Sequence, residues 1–236
     1  MALERVLEQG LQALGIECPL EVRGRLLDYV CLLAKWNRVY NLTAVREPQE
    51  MVTRHLLDSL AVLPHLRAMQ PKQVLDVGTG GGLPGIPLAL LMPDTDFVLL
   101  DSNSKKTRFV QQAVTELELR NVEVVHARVE QYHPDAPFDV VISRAFSSLR
   151  EMVEKAGAYC GSEGVLLAMK GAWPEQELAD LSPEFTLRKS LRLQVPGLDE
   201  ERHLICLAPT GGAADNGGGI LPRSVINRGS WDHITG

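Results

Sequence analysis

A strand-like run leads directly into a glycine-rich turn at Val74-Leu75-Asp76-Val77-Gly78-Thr79-Gly80-Gly81-Gly82. Glycines lack Cβ atoms, so they can take positive φ angles and bring backbone amides close to a bound molecule. Leu83-Pro84-Gly85 then predicts a helix start, whose free N–H groups favour a negative group nearby. In an open parallel sheet such a turn lies at the carboxyl end of a strand, where ligands bind. The stretch therefore predicts a ligand crevice on an α/β sheet.

An acidic residue stands where the next strand is predicted to end. It is Asp101, 19 residues beyond Gly82, and a carboxylate there can accept both ribose hydroxyls of a nucleoside cofactor. The spacing alone does not choose the cofactor, because Gly80, Gly82 and Gly85 also spell the dinucleotide fingerprint G-x-G-x-x-G. Against a dinucleotide, Asp76 stands where dehydrogenases keep an apolar side chain. Alternatively, the glycines form only a tight turn and Asp101 only caps the following helix. This structural explanation accounts less well for the full succession of strand, glycine turn, helix, second strand and acid.

Strand-like and helical runs alternate outward from this turn, a pattern typical of a parallel sheet with helices on both faces. The predicted strands are residues 74–77, 97–100, 122–126, 138–143 and 164–170. The helices predicted between them are residues 84–91, 105–117 and 149–159. Residues 185–195 and 203–207 predict an antiparallel hairpin at the sheet edge. The fold class is therefore α/β, a doubly wound, mostly parallel Rossmann-like sheet.

Helical patterns precede the first strand, and a glycine-rich stretch follows the last one. Apolar spacing predicts helices over residues 3–14, from 19 to about 40, and from 48 to about 64. From Pro209 onward glycines cluster among few apolar residues, which disfavours packed structure. We expect an N-terminal helical region at 1–70, a sheet domain at 71–208 and a flexible tail at 209–236.

Composition excludes several classes of protein. Hydrophobic residues make up 45% of the chain and charged residues 23%, as in ordinary globular proteins. The apolar runs are far shorter than the roughly 20 residues of a membrane-spanning helix. The amino end lacks a secretory pattern, so we expect a cytoplasmic protein that does not enter a membrane. A net charge of −6 leaves room only for a local basic face toward RNA.

The four cysteines are widely spaced and form no CxxC pair. Zinc sites and redox motifs use such close spacing, so we predict no metal site and expect buried free thiols.

Five segments carry a resemblance to a known family. They are Trp36-Asn37-Arg38-Val39-Tyr40-Asn41-Leu42-Thr43, Arg54-His55-Leu56-Leu57-Asp58-Ser59-Leu60, Asp76-Val77-Gly78-Thr79-Gly80-Gly81-Gly82-Leu83-Pro84-Gly85, Ile142-Ser143-Arg144-Ala145-Phe146 and Glu201-Arg202-His203-Leu204. In this order they resemble the RsmG (GidB) family of bacterial 16S ribosomal RNA methyltransferases. The resemblance implies methyl transfer from S-adenosylmethionine to N7 of one guanine in the decoding region. It ends shortly after Cys206 and implies nothing for the tail.

The resemblance also implies a set of cofactor-binding residues. They are Gly78, Gly80, Leu83, Asp101, Val129, Glu130 and Arg144. In the family pattern Asp101 holds the ribose of the cofactor, and Val129 and Glu130 line its adenine.

The chemistry fits a reaction that needs no general base. Guanine N7 bears a free lone pair, so alignment and exclusion of water would supply the rate enhancement. Cytosine C5 methylation would need a cysteine beside the turn, and no cysteine stands there. Arg144 and Phe146 are the expected catalytic residues, with Arg144 binding a carboxylate or phosphate and Phe146 stacking on the target base. The alternatives are a surface ion pair for Arg144 and core packing for Phe146. Lys170 is expected to meet RNA or to end a solvated strand.

Several cations could form a local basic rim for RNA phosphates. They are Arg23, Arg25, Lys35, Arg38, Arg46, Arg54, Lys105, Lys106 and Arg108. Because the same helices carry acids, an ordinary solvated surface is the alternative, and Trp36 is expected to be a core residue. We expect a monomer that acts on 16S ribosomal RNA or the small ribosomal subunit. A methyltransferase of another substrate and a non-catalytic nucleotide-sensing regulator are the rival hypotheses.

Overall fold

The structure is a computed structural model and describes residues 2–211. Its helices are α1 (Ala2–Ala13), α2 (Leu20–Tyr40), α3 (Pro48–Met51), α4 (Asp58–Leu60), α5 (Leu63–Met69), α6 (Gly85–Leu91), α7 (Ser104–Glu116), α8 (Leu149–Ala156) and α9 (Glu175–Ala179). A π-helix, Val52–Leu57, joins α3 to α4, and two 3-10 turns span Val129–Gln131 and Gly157–Tyr159. The strands are β1 (Gln73–Val77), β2 (Asp96–Asp101), β3 (Val122–His126), β4 (Phe138–Ser143), β5 (Cys160–Lys170), β6 (Phe185–Leu193) and β7 (Arg202–Pro209). Most of the predicted glycine-rich tail lies outside the described residues.

The seven strands form one mixed sheet in the order β3-β2-β1-β4-β5-β7-β6. The first five strands pair in parallel, and β7 pairs antiparallel with both β5 and β6. The predicted α/β class and the antiparallel edge hairpin are confirmed. The strand order reverses at β1, which lies between β2 and β4, and connections that diverge at such a point leave a crevice at the carboxyl ends of the strands.

Helices cover both faces of the sheet. Alternate side chains of a strand point to opposite faces, so Val74 and Leu75 of β1 belong to two different cores. The larger core joins the N-terminal helices, α6 and α7 to one face, and the smaller core joins α8 to the other. The helical region and the sheet therefore share one continuous apolar core.

The third predicted helix differs from the structure. Instead of one α-helix, the chain forms α3, a π-helix and α4, and a new helix, α5, begins at Leu63 with Pro64 in its first turn. A proline is well tolerated in a first turn, so Pro64 starts a helix where the sequence predicted an end. The apolar spacing fits the ordinary 3.6-residue period, so it contains no signal for the wider π-turn.

Smaller differences occur at the other face. The helix predicted over 149–159 ends at Ala156 and continues as a 3-10 turn, β5 begins earlier at Cys160, and α9 was not predicted. Of the four cysteines, Cys160 and Cys206 are buried, while Cys18 is half-buried and Cys31 is exposed, so the expectation of buried thiols holds for two. Between residues 2 and 211, no helix combines the length and apolarity needed to cross a membrane.

Candidate active site

The turns after β1 and β4 meet at the point where the strand order reverses. Gly78 follows β1, and Ala145 follows β4. A Cβ atom built on Gly78 would lie 2.5 Å from the Cβ of Ala145, so only glycine fits there. Ser143, at the end of β4, donates a hydrogen bond to the Val77 carbonyl at 2.7 Å and accepts one from the Ala145 amide at 3.0 Å. The two turns are therefore fixed against each other.

The glycine turn adopts the backbone that its sequence predicts. Gly78, Gly80 and Gly82 have φ angles of +71°, +61° and +86°, in the region that side chains disfavour. A Cβ at Gly80 would meet only the Gly78 carbonyl oxygen, at 3.9 Å, which is an ordinary contact. At Gly82 a Cβ would lie 2.5 Å from Ile86 of α6, so this glycine lets the helix pack closely.

Asp76 holds the glycine turn in place by hydrogen bonds. Its side chain is fully buried, and Oδ2 accepts hydrogen bonds from Thr79 Oγ1 at 2.7 Å and from the Gly85 amide at 3.0 Å. Oδ1 has no hydrogen-bond partner among the described residues. Burial raises the pKa of this carboxyl to about 6 against these two hydrogen bonds. In the sequence analysis Asp76 served only as an argument against a dinucleotide, and its role in holding the turn was not predicted.

Asp101 faces the same turn, at the end of β2. Oδ2 accepts a hydrogen bond from the Gly80 amide at 2.9 Å, and Oδ1 accepts one from the Asn103 amide at 2.8 Å. The cap of α7 is Asn103, whose Oδ1 accepts from the amides of Lys105 and Lys106. Capping therefore does not explain Asp101. Each carboxylate oxygen keeps a lone pair for a further donor.

A recess of about 180 Å³ opens between the glycine turn and the N-terminal helices. It is lined by Leu33, Leu42, Thr43, His55, Gly78, Thr79, Gly80, Gly81, Leu83, Arg144 and Ala145. The hydroxyl of Tyr29 in α2 donates to the Gly81 carbonyl at 2.6 Å and ties the helix to the turn. Small-molecule pockets usually measure about 300 Å³ or more, so the recess can enclose one end of a cofactor.

His55 of the π-helix lines the recess beside Thr43. Its Nε2 lies 2.8 Å from Thr43 Oγ1, and the side chain of Asn37 fixes the Thr43 segment by hydrogen bonds to the Thr43 amide and the Val45 carbonyl. Burial, together with the smaller effect of the Arg144 charge, lowers the pKa of His55 to about 4. The imidazole is therefore neutral at pH 7. Two of the resemblance segments supplied these residues, but no role had been predicted for them.

An ion-pair network holds Arg144 at the recess. Asp58 is buried, and its two oxygens lie 2.9 Å from Arg144 Nη1 and 2.9 Å from Arg202 Nε. Glu200 continues the network, 3.0 Å from Arg202 Nη2 and 2.8 Å from Arg54 Nη1. The alternative stated for Arg144 was a surface ion pair. The structure instead pairs the half-buried Arg144 with the buried Asp58.

The remaining predicted residues do not all reach the recess. Leu83 lines it. Val129 and Glu130 occupy the 3-10 turn after β3, at the same sheet edge but outside the recess lining, and Glu130 lies 3.4 Å from Lys155 Nζ. Phe146 is half-buried and packs against the smaller core, which agrees with its core-packing alternative. Lys170 pairs with Glu177 at 2.8 Å, so it is not a solvated strand end.

The nine predicted rim cations fall into two groups. Three are engaged elsewhere, because Arg23 pairs with Glu8 at 2.9 Å, Arg54 pairs with Glu200, and Arg25 donates to the Leu117 carbonyl. The other six form no ion pair with a carboxylate among residues 2–211. They are Lys35, Arg38, Arg46, Lys105, Lys106 and Arg108. Across that same part of the chain, no group of three or more His, Cys, Asp and Glu side chains could hold a metal ion.

Comparison with known proteins gives a consistent result. The family described as rRNA small subunit methyltransferase G matches residues 23–205 of the chain. The ribosomal RNA small subunit methyltransferase G of Pseudomonas paraeruginosa is 50% identical over 204 residues, which cover 86% of this chain and 94% of that protein. The protein of the same name from Methylobacillus flagellatus is 49% identical over 205 residues, covering 87% and 98%.

Solved structures show the same architecture at lower identity. The mitomycin 7-O-methyltransferase MmcR superposes with a TM-score of 0.57 at 13% identity, covering 77% of this chain and 60% of that one. TrmN from Thermus thermophilus gives a TM-score of 0.53 at 19% identity, covering 67% and 53%. At these identities the likeness shows the fold alone.

Proposed function

The chain belongs to the rRNA small subunit methyltransferase G family, and we propose from this membership that it methylates N7 of a guanine in 16S ribosomal RNA. The methyl donor is S-adenosylmethionine. The observation that carries the proposal is the family match over residues 23–205, with the buried Asp101 carboxylate 2.9 Å from the Gly80 amide at the centre of that match. A glycine turn and an acid that face each other suit a nucleoside bearing an amino-acid chain.

The residues present fit this cofactor. Asp101 would hold the ribose hydroxyls with the lone pairs that its two amide donors leave free. Gly78 and Gly80 would let the cofactor approach the backbone, since a Cβ on Gly78 would fill the space in front of Ala145. Arg144 would hold the carboxylate of the amino-acid end, because its planar guanidinium suits that group.

The other predicted residues have supporting roles in the proposal. Leu83 would cover the cofactor from inside the recess. Val129 and Glu130 would line the adenine at the outer edge of the sheet, and the carbonyl of Val129, which accepts from the Tyr159 hydroxyl, fixes that turn. Phe146, half-buried against the smaller core, would offer the exposed part of its ring to the target base from the loop that carries Arg144. Its aromatic face is suited to stacking on a purine.

Methylation of guanine N7 requires the protein to position the reactants, and it does not require a residue that transfers a proton. When bound, S-adenosylmethionine supplies an electrophilic methyl group on a sulfonium. The N7 lone pair of guanine can attack it without first losing a proton, so no general base is needed. His55 agrees with this, because an imidazole whose pKa is lowered to about 4 is only a weak base at pH 7. Alignment by the glycine turn and Arg144, together with exclusion of water, would lower the barrier.

Methyl transfer from labelled S-adenosylmethionine tests the proposal. Small-subunit particles, protein-free 16S RNA and total protein are offered separately, and the RNA is then cleaved with borohydride and aniline, which cut at N7-methylguanine. We expect label in RNA and one strong cleavage site. Label confined to protein, or labelled RNA without a cleavage site, would overturn the assignment to guanine N7.

The finer organisation also belongs to the proposal. We infer a helical region at 1–70 and a methyltransferase domain at 71–208, with a tail at 209–236 that lies mostly outside the described residues. We further infer that the protein acts as a monomer on the small ribosomal subunit in the cytoplasm, where its RNA substrate is found. Light scattering of the purified chain, alone and with RNA, tests the monomeric state.

A further inference from the structure

Positive charge is concentrated in two stretches of a chain whose net charge is −6. Residues 29–46 and residues 102–115 contain no Asp or Glu. We call the six cations within them the basic rim. They are Lys35, Arg38, Arg46, Lys105, Lys106 and Arg108. The acids of the same helices, Glu21 and Asp28 in α2 and Glu116 in α7, all lie outside these stretches.

The two stretches come together because α2 and α7 pack antiparallel. Arg25, near the start of α2, donates to the carbonyl of Leu117, just beyond the end of α7. Trp36, near the end of α2, lies against Phe109, in the first half of α7, with ring centroids 5.7 Å apart. The C-terminal end of α2 is therefore next to the N-terminal end of α7, and the two halves of the basic rim form one surface.

This surface borders the recess. Leu42 and Thr43, which line the recess, follow directly after α2, and Asp101 immediately precedes the turn into α7. The two stretches that carry the basic rim are therefore each directly joined in sequence to a part of the candidate active site. A polyanion bound to the rim would lie beside the opening of the recess.

The cations of the basic rim are available to a partner. All are exposed except Lys106, which is half-buried, and no carboxylate among the described residues pairs with any of them. Arg46 donates only to the neutral Asn41 side chain, at 2.9 Å. By contrast, Arg23 and Arg54 are neutralised by acids. Unpaired cations grouped without acids favour phosphate as the partner.

Aromatic surface accompanies this charge. Tyr40 is 43% exposed and Val39 is 70% exposed at the end of α2. The Tyr40 ring is supported from behind by Trp36, with centroids 5.2 Å apart. Exposed aromatic rings between cations are typical of surfaces on which unpaired RNA bases stack.

We propose that the basic rim docks the sugar-phosphate backbone of an RNA segment with unpaired bases, one of which stacks on Tyr40, and so presents the target base to the recess. This inference rests on the proposed function, which makes RNA the substrate. Phosphate contacts of this kind fix position and orientation without reading sequence. The rim is therefore a substrate-docking surface, separate from the residues that hold the cofactor.

The test compares two matched double variants in the full chain. Arg38→Gln with Lys105→Gln removes two cations of the rim, and Arg188→Gln with Lys189→Gln removes one arginine and one lysine from the exposed edge strand β6. Fluorescence anisotropy measures binding to a labelled fragment of small-subunit ribosomal RNA at several KCl concentrations. Calorimetry measures S-adenosylmethionine affinity as a check on the fold.

We expect the rim variant to lose at least about tenfold in RNA affinity, and its slope of log K against log salt to fall by roughly 1 to 2. The β6 variant should match the wild type, and both should keep the wild-type cofactor affinity. Equal RNA affinity and slope in the rim variant and the wild type would overturn the docking surface, as would absence of RNA binding by the wild type. If the wild type binds RNA through the rim but methylates none, the docking surface stands and the proposed function fails.

Discussion

Arg144 reaches the recess with its Nη1 held 2.9 Å from Oδ2 of Asp58, whose side chain is only 6% exposed. The other oxygen of Asp58 holds Arg202 at the same distance. One acid at the end of the π-helix therefore fixes the loop after β4 and the start of β7. The carboxylate-binding role proposed for Arg144 requires a set orientation of its guanidinium, and such a fixed partner provides it.

Asp58→Asn is expected to weaken S-adenosylmethionine binding by about tenfold or more and to destabilise the fold by about 2–4 kcal/mol. The variant removes the charge that holds Arg144 and leaves two guanidiniums beside each other. Arg202→Gln is the control, because it also breaks an ion pair of Asp58 but keeps Arg144 in place. Calorimetry and urea unfolding measure both effects. If the two variants lose equal cofactor affinity, Asp58 does not act by positioning Arg144.

Asp101→Asn is expected to lower S-adenosylmethionine affinity by roughly 10- to 100-fold, since hydrogen bonds to a charged acceptor contribute about 1.5–3 kcal/mol. Asp96→Asn makes the same change at the exposed opposite end of β2, and it should leave the affinity unchanged. Isothermal titration of both variants gives the comparison. Wild-type affinity in Asp101→Asn would remove the ribose role.

The glycine turn and Asp101 could be predicted because strand, turn and acid follow one another along the chain. The parts of the site that come from the helical region could not. Tyr29 binds the turn, His55 lines the recess and Asp58 holds Arg144, and each is far in sequence from the residue or turn that it meets. Their placement depends on a π-helix and on how α2 packs, and an apolar pattern with a period of 3.6 records neither.

The fate of the predicted cations has a similar explanation. Arg54 and Lys170 stood in promising places, but Glu200, which is distant in sequence from Arg54, and Glu177, which lies in the unpredicted helix α9, neutralise them. Such pairs form through tertiary contacts that composition does not show. The cations of residues 29–46 and 102–115 lie in stretches without an acid, and no acid from elsewhere among the described residues pairs with them. The absence of acids from these two stretches is therefore evident from the sequence. Only the structure shows that the two stretches lie next to each other.

Gly78→Ala is expected to abolish measurable cofactor binding. The new Cβ would lie 2.5 Å from the Cβ of Ala145 and would take a backbone with φ of +71°. Gly15→Ala is the matched control, since Gly15 has a similar φ of +65° but nothing within 4 Å of a Cβ. Both variants should lose about 1 kcal/mol from the backbone strain. Loss of binding in the Gly15 variant as well would show that lower stability, and not the contact with Ala145, is responsible.

The last prediction concerns stability between pH 7 and pH 5, where two buried groups act in opposite directions. Burial lowers the pKa of His55 from 6.5 to about 4, so its stabilising effect is complete above pH 6.5 and is lost as the pH falls toward 4. Burial raises the pKa of Asp76 from 3.8 to about 6, so its stabilising effect is complete below pH 3.8 and is lost as the pH rises through 6.

From pH 7 to pH 5 each group changes the free energy of unfolding by about 1–2 kcal/mol, with opposite sign, so the two nearly cancel in the wild type. Relative to the wild type, His55→Gln should gain stability over this interval because the cost of charging the imidazole is gone. Asp76→Asn should lose stability over the same interval because the gain from protonation is gone. Urea unfolding of the three proteins at both pH values measures these differences, and the remaining carboxylates cancel in the comparison. If the unfolding free energies of both variants shift in the same direction relative to the wild type, the folded protein does not have a lowered His55 pKa together with a raised Asp76 pKa.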